Sequence, residues 1–283
     1  MPAKYFAQIM ERLHERFDVA QDAEITIESN PGTLDSGRLD EFIAYGVNRL
    51  SIGVQSLNDD ELLFLGRRHN SSDALKLLDV VQSRNIRVSG DFIYGLPGHN
   101  AKSVEKLCRD INKIGLKHCS MYELTIEPNT PFGRMNLQMP SNNDMADMYT
   151  TITNTLNIPR YEVSNYAAPG NECRHNQNVW DGAAYIGLGI GAAGRVFISN
   201  TWYEQLGGGA KFEPMNNNTR ATEKVITGMR TTRGVLLAND VKNVLDMEYA
   251  TNHPDLIAID NDRIRATEHG LIILDELLVN LIK

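Results

Sequence analysis

The sequence predicts an α/β fold in which an incomplete (β/α) barrel precedes a small, mainly helical C-terminal domain. Helical and strand patterns alternate from residue 1 to about residue 124, which is typical of parallel sheets. The chain becomes polar and irregular beyond Pro128, and from residue 221 onward it is mostly helical in pattern. A closed eight-stranded barrel alone needs about 250 residues, so a chain of 283 residues with these later parts favours an open barrel.

Four strand-and-helix units are predicted in the first part, after an amphipathic helix at residues 5–16. Runs of β-branched and apolar residues predict strands at residues 24–28, 49–54, 86–93 and 118–125. Helical spacing predicts helices at residues 39–45, 59–66, 72–84 and 104–114. Gly46 and Gly115 follow two of these helices and are expected to end them.

The later part of the chain has a different pattern of predicted helices and strands. A helix is predicted at residues 144–156, and short strands are predicted at residues 161–164, 184–190 and 195–198. Residues 202–219 are glycine- and asparagine-rich and are expected to form a loop beside a site. Helices with one short strand at residues 263–266 are expected to follow. We therefore expect three domains, at residues 1–128, 129–220 and 221–283.

Charge and hydropathy limit the classes of partner. The formal net charge is −8 and no block of lysine or arginine is present, which argues against a nucleic-acid or anionic-membrane surface. No apolar run approaches the roughly eighteen residues of a membrane-spanning helix, and residues 1–17 alternate charged with apolar residues. We therefore expect a cytoplasmic protein with small-molecule or protein partners; a homodimer is one candidate for its oligomeric state.

The cysteines form no compact metal-binding motif. Cys108, Cys119 and Cys173 are widely spaced and odd in number, which disfavours a disulfide framework as well. Cys108 lies in a helical pattern and Cys119 in a strand pattern, where a buried thiol is expected to act as a small apolar side chain.

Four motifs in order support a family resemblance. They are IESNPG at residues 27–32, NRLSIGVQS at 48–56, DFIYGLP at 91–97 and RHNQNVW at 174–180. With these motifs the chain resembles the HemW-type heme chaperones, radical SAM proteins related to oxygen-independent coproporphyrinogen III oxidase. The resemblance covers nearly the whole chain and implies that the incomplete barrel is of the radical SAM type.

The resemblance also implies cofactors whose ligands this sequence lacks. The family carries an N-terminal Cys-x-x-x-Cys-x-x-Cys loop, which holds a [4Fe–4S] cluster, and then a Gly-Gly-Gly-Thr-Pro-Ser segment beside S-adenosylmethionine. Neither motif occurs in this sequence, and the strands that accompany them would leave one sheet edge open. Three thiolates must hold such a cluster, so we expect no radical chemistry from the chain as given.

Four polar residues match the family's S-adenosylmethionine pocket. Glu28, Gln55 and Asp91 fall near the carboxyl ends of predicted parallel strands, where ligands of such folds bind, and Arg67 follows Gln55 in a loop. An arginine suits the ligand's carboxylate, and acidic residues suit its ammonium and ribose hydroxyls. The alternative is that Glu28, Arg67 and Asp91 form interior ion pairs that stabilise the strand ends.

A second set of residues is predicted to bind heme. His175, Asn176 and Trp180 match the His-Asn-x-x-Tyr-Trp signature of the heme chaperones, with Val179 in the tyrosine position. Imidazole is a common axial ligand of heme iron, so His175 is the predicted iron ligand, and a neighbouring aromatic ring can pack on the porphyrin. The alternative is a structural, hydrogen-bonded histidine. The family's Ala-His is also replaced here, by Ala193 and Gly194.

Three functions remain open at this point. The resemblance implies heme binding and transfer to a heme-accepting protein. The second is an oxidoreductase that decarboxylates coproporphyrinogen III in porphyrin biosynthesis; it needs both the cluster and S-adenosylmethionine. The third is a non-catalytic remnant whose motifs only pack. Among other features, His69 is expected to order its loop and His99 to be an exposed loop residue.

Overall fold

The computed structural model describes residues 1–207, 209 and 211–283. Backbone contacts divide the chain into two compact units. The first unit comprises Met1–Arg160 and Ser164–Glu172, and the second comprises Tyr161–Val163 and Cys173–Lys283. The predicted division into three domains has its boundaries elsewhere and stays a prediction.

The first unit alternates helices with strands, as predicted. Its elements are α1 (Ala3–Arg16), β1 (Thr26–Ser29), α2 (Ser36–Ala44), β2 (Arg49–Gln55), α3 (Asp59–Phe64), α4 (Ser71–Gln82), β3 (Arg87–Tyr94), α5 (Ala101–Ile114), β4 (His118–Glu123), a 3-10 turn (Phe132–Arg134), α6 (Asn142–Thr155) and β5 (Asn165–Ala167). Asparagine side chains begin α4 and α5 with capping boxes, and Gly115 ends α5 in the left-handed conformation, at φ 74°.

The five strands form one open sheet in the order β1-β2-β3-β4-β5. The first four strands are parallel, and β5 is antiparallel to β4. Apolar strand residues such as Ile52 and Phe92 pack against helix residues such as Leu78 and Ile111 in the core of this unit. Within the described residues the sheet does not close on itself, so the predicted α/β fold with an incomplete barrel is confirmed.

The second unit combines short helices with two small antiparallel sheets. Its elements are α7 (Arg174–Trp180), β6 (Gly194–Ile198), β7 (Thr201–Leu206), β8 (Lys211–Pro214), α8 (Asn217–Gly228), β9 (Val235–Leu236), α9 (Asn239–Val244), α10 (Met247–Asn252), β10 (Ile257–Asp260), β11 (Arg263–Ala266), α11 (Glu268–Ile272) and α12 (Leu274–Leu281). The sheet orders are β6-β7-β8 and β10-β11-β9. The C-terminal helices have their own apolar core, which includes Val225, Met229 and Leu277.

Three predictions about the middle of the chain were wrong. The strand predicted at residues 161–164 lies at Asn165–Ala167 instead, because those residues pair with β4. Residues 184–190 form no strand and make only an isolated bridge from Tyr185 to Arg195. Residues 202–219, predicted as a loop, contain most of the β7–β8 hairpin and the start of α8. Residues 208 and 210 lie outside the described part.

No helix in the described part of the chain is both long enough and apolar enough to cross a membrane.

Candidate functional site

The face of the five-stranded sheet opposite the apolar core is polar. Residues in register across parallel strands direct their side chains to the same face. Glu28 is in register with Ser51, Ser51 with Ser89, and Asp91 with Ser120. The alternation of side chains along β3 places Ser89 and Asp91 on one face. The polar residues of four strands therefore share one surface.

Asp91 is the centre of a hydrogen-bond network on this surface. Its Oδ2 accepts from Ser51 Oγ at 2.7 Å, and its Oδ1 lies 2.7 Å from Ser120 Oγ and 3.1 Å from Ser89 Oγ. Ser120 Oγ is also 2.8 Å from Asn165 Oδ1 on β5. Several hydroxyl groups around one carboxylate fix its orientation.

His118 extends the network at the start of β4. Its Nδ1 lies 2.7 Å from Ser89 Oγ. Burial, and then the charges of Arg49 and Arg87, lower the pKa of His118 to about 3. A hydroxyl carries one proton, so Ser89 donates to Asp91 only when His118 Nδ1–H donates to Ser89.

Glu28 and Gln55 lie at the carboxyl ends of β1 and β2, as predicted. Glu28 is exposed and lines a cavity of about 350 Å³. Gln55, Arg67 and Asp91 are not among the residues that line this cavity. Gln55 has a left-handed backbone, at φ 68°. A Cβ at Gly53 would lie 2.7 Å from Gln55 Nε2 and 2.7 Å from Asn30 Oδ1, so glycine leaves room for both amides.

Arg67 follows α3 in a loop that is tied to β2. His69 in this loop places Nε2 3.2 Å from the Val54 carbonyl oxygen, which agrees with the predicted ordering role. Arg67 Nε is buried and has no hydrogen-bond partner in the described structure. An enclosed donor without an acceptor is costly, and a ligand carboxylate would supply that acceptor.

The alternative of interior ion pairs among these residues finds no support in the described part of the chain. Glu28, Arg67 and Asp91 take part in no ion pair there, and Asp91 is hydrogen-bonded to serines instead. The sequence did not reveal those serines as site residues. The period-two spacing of Ser89 and Asp91 was the available signal, but their cross-strand partners depend on the sheet register.

The three cysteines do not form a metal site. Cys108 and Cys119 are fully buried in the core of the first unit, and Cys173 belongs to the second unit. Burial raises the pKa of Cys108 to about 12 and raises the pKa of Cys119 as well, which disfavours the thiolate that iron requires. The described residues contain no group of three cysteine, histidine, aspartate or glutamate side chains that would hold a metal ion.

In the second unit, α7 carries the predicted heme residues. His175 is exposed, whereas Asn176 and Trp180 are half-buried. Residues four apart share a helix face, so His175 lies above Val179, and Asn176 lies above Trp180. The Arg230 guanidinium stacks over the Trp180 ring at 5.1 Å, and the indole Nε1 is enclosed without a hydrogen-bond partner in the described structure. Trp180 therefore anchors the helix on the face that His175 does not occupy.

The glycine run after α7 is held in place by one side chain. Gln205 is 1% exposed, its Oε1 accepts from Gly187 N at 2.8 Å, and its Nε2 donates to Gly187 O at 2.9 Å. The run leaves Leu188 and Ile190 exposed, at 74% and 107% of their reference areas. Sequence reasoning missed Gln205, because its partner lies 18 residues away.

Comparison with known proteins relates this geometry to one family. The model of the Radical SAM superfamily matches residues 2–111. The chain is 30% identical over 302 residues to the heme chaperone HemW of Haemophilus influenzae, covering 98% of this chain and 78% of that protein. It is 36% identical over 192 residues to HemW of Escherichia coli, covering 66% of this chain and 51% of that protein.

A solved structure supports the fold. Coproporphyrinogen III oxidase (HemN) from Escherichia coli, a radical SAM enzyme, superposes with a TM-score of 0.77 at 17% identity, covering 99% of this chain and 74% of that chain. The present chain spans only about half the length of the Escherichia coli HemW relative. The sequence relatives, the superfamily match and the common fold together show that this chain belongs to the HemW-type heme chaperone family of radical SAM proteins.

Proposed function

We propose that this chain binds heme and transfers it to an acceptor protein, with His175 as an axial ligand of the iron. One observation carries the proposal: the exposed imidazole of His175 stands on α7 in the family's histidine position. An exposed imidazole can approach iron without any rearrangement of the core, and histidine is a common heme ligand. Asn176 follows directly and is assigned to the same heme site.

Exposed apolar residues that follow α7 in the sequence support this assignment. Ile186, Leu188 and Ile190 are 55%, 74% and 107% exposed, and a porphyrin face is apolar. A single exposed aliphatic residue is ordinary, but three at alternate positions form a contiguous apolar segment, which is typical of a ligand or protein contact. Val179 lies on the same helix face as His175 and adds no polar group there. We assign Trp180 to positioning α7 through Arg230.

We further propose that the first unit binds S-adenosylmethionine. The enclosed Arg67 Nε suits the ligand's carboxylate, while Glu28, Gln55 and the oriented Asp91 suit its ammonium and hydroxyl groups. Bound to a [4Fe–4S] cluster, this cofactor supplies radical chemistry in the superfamily. The cysteines of this chain do not fit such a cluster, since two are enclosed in the core with raised pKa values. We therefore assign no reaction step to it.

Titration of the purified chain with hemin tests the heme proposal. We expect a saturable shift of the Soret band for the unmodified chain and its loss in His175→Ala, because the substitution removes the iron ligand. Two control variants should keep the shift. His269→Ala removes another exposed histidine of the same unit, and Trp202→Ala removes an aromatic ring that packs against Arg220.

The proposal fails if His175→Ala binds hemin with the same spectrum and affinity as the unmodified chain. It also fails if the unmodified chain shows no saturation. Circular dichroism of each variant separates loss of the ligand from loss of the fold.

A further inference from the structure

Two arginines lie side by side at the amino end of the polar sheet face. Thr26, Arg49 and Arg87 are in register across β1, β2 and β3, so their side chains share the polar face. This row stands at the starts of the parallel strands, whereas Glu28, Gln55 and Asp91 lie toward their carboxyl ends.

Arg49 is almost completely enclosed and has no partner for its charge. It is 3% exposed, and its Nε has no hydrogen-bond partner. It also takes part in no ion pair among the described residues, whereas Arg87 is bound to Glu24 at 3.0 Å. The Oγ1 of Thr26, next to Arg49 in the row, is buried without a hydrogen-bond partner as well.

The surrounding groups do not neutralise this charge. His118, which the charges of Arg49 and Arg87 affect, has its pKa lowered and is neutral near pH 7. Asp91, four residues beyond Arg87 on β3, already lies within hydrogen-bond distance of three serine hydroxyls. Like charges on directly opposed strand positions repel each other, and an enclosed charge without a partner is costly. The carboxylate of Glu24 is bound to Arg87.

We infer that Arg49 and Thr26 form a buried binding site for a small oxyanion of the phosphate or sulfate type. The guanidinium supplies charge and planar donors, and the threonine hydroxyl supplies another donor. Because Arg49 is only 3% exposed, a free inorganic ion suits the site better than a phosphate attached to a larger molecule. This inference does not depend on heme or S-adenosylmethionine binding.

Thermal melting of the purified chain in phosphate and in chloride, at equal ionic strength, tests the site. We expect saturating phosphate to raise the melting midpoint of the unmodified chain by on the order of 3 °C. In Arg49→Met the rise should vanish, and the midpoint in chloride should equal or exceed that of the unmodified chain, because the unpaired charge is gone. Arg109→Met, which removes an exposed arginine on α5, should respond as the unmodified chain does.

Isothermal titration with inorganic phosphate and with adenosine monophosphate separates the free ion from an attached phosphate. Only the free ion should bind, and Thr26→Val, which keeps the charge, should bind it more weakly. A phosphate response that survives in Arg49→Met overturns the inference. So does the absence of saturable phosphate binding by the unmodified chain, or an unchanged affinity in Thr26→Val. The last two measurements decide the matter even where Arg49→Met does not fold.

Discussion

His118 is a histidine that this fold keeps uncharged. Burial at the start of β4 disfavours the imidazolium, and Arg49 and Arg87 add repulsion, so the pKa falls to about 3. The neutral ring completes a hydrogen-bonded chain to Asp91 through Ser89.

The lowered pKa predicts a pH dependence of stability. The unfolded chain takes up a proton at His118 below about pH 6.5, whereas the folded chain does not until about pH 3, so acid favours the unfolded state. Between about pH 6 and about pH 5 the free energy of unfolding should therefore fall by about 1 kcal/mol more in the unmodified chain than in His118→Asn. Urea unfolding at several pH values measures this difference.

His14→Asn is the matched control, because His14 is exposed near the end of α1. Its pH dependence should match that of the unmodified chain. Equal slopes for His118→Asn and the unmodified chain would contradict the account of His118.

Residue positions were easier to predict than residue environments. The order of motifs placed Glu28 and Gln55 near strand ends, which the structure confirms, whereas Asp91 lies in the middle of β3. His99, however, was predicted to be exposed, and its side chain is 8% exposed with Nε2 3.1 Å from Glu61 Oε1. That contact joins the loop after β3 to α3, which lies 38 residues earlier in the chain. Local sequence patterns cannot reveal a contact between two segments that lie so far apart in the chain.

At the scale of elements, locally determined features were predicted well. Helices with asparagine or serine caps, such as α4, α5 and α6, begin within three residues of their predicted starts. The β7–β8 hairpin was missed because its polar, glycine-containing sequence is typical of loops. It becomes a sheet through antiparallel pairing with β6, a tertiary effect that overrides local propensity.

Gln205 is predicted to hold the glycine run against β7. Gln205→Leu keeps the size of the side chain but removes both hydrogen bonds to Gly187, leaving those backbone groups without their partner. We expect a loss of about 1–3 kcal/mol in the free energy of unfolding and faster hydrogen exchange at the Gly187 amide.

Gln8→Leu is the control for that substitution, because Gln8 is exposed on α1. It should leave both quantities nearly unchanged. Unaltered exchange at Gly187 in Gln205→Leu would show that the run is held by other contacts.

At the scale of the whole molecule, the chain has two separate apolar cores. One core joins the five-stranded sheet to its helices, and the other joins the C-terminal helices to the β10-β11-β9 sheet. The unit boundary was not predictable from composition, because the chain crosses it repeatedly. Tyr161–Val163 belongs to the second unit, and the residues that follow return to the first as β5. Strand pairing, a non-local interaction, decides this division.

The two proposed ligands should therefore protect different parts of the chain from hydrogen exchange. S-adenosylmethionine should slow exchange around Gln55 and in the loop of Arg67, and hemin should slow it in α7 and the glycine run. A ligand that binds the folded state suppresses the local openings through which its own site exchanges, so its effect reports where it binds. Mass spectrometry of deuterated peptides makes the comparison. Arg67→Met should lose only the first pattern and His175→Ala only the second. Protection by hemin confined to the five-stranded sheet would contradict the assignment of heme to α7, because that sheet carries none of the residues proposed to bind it.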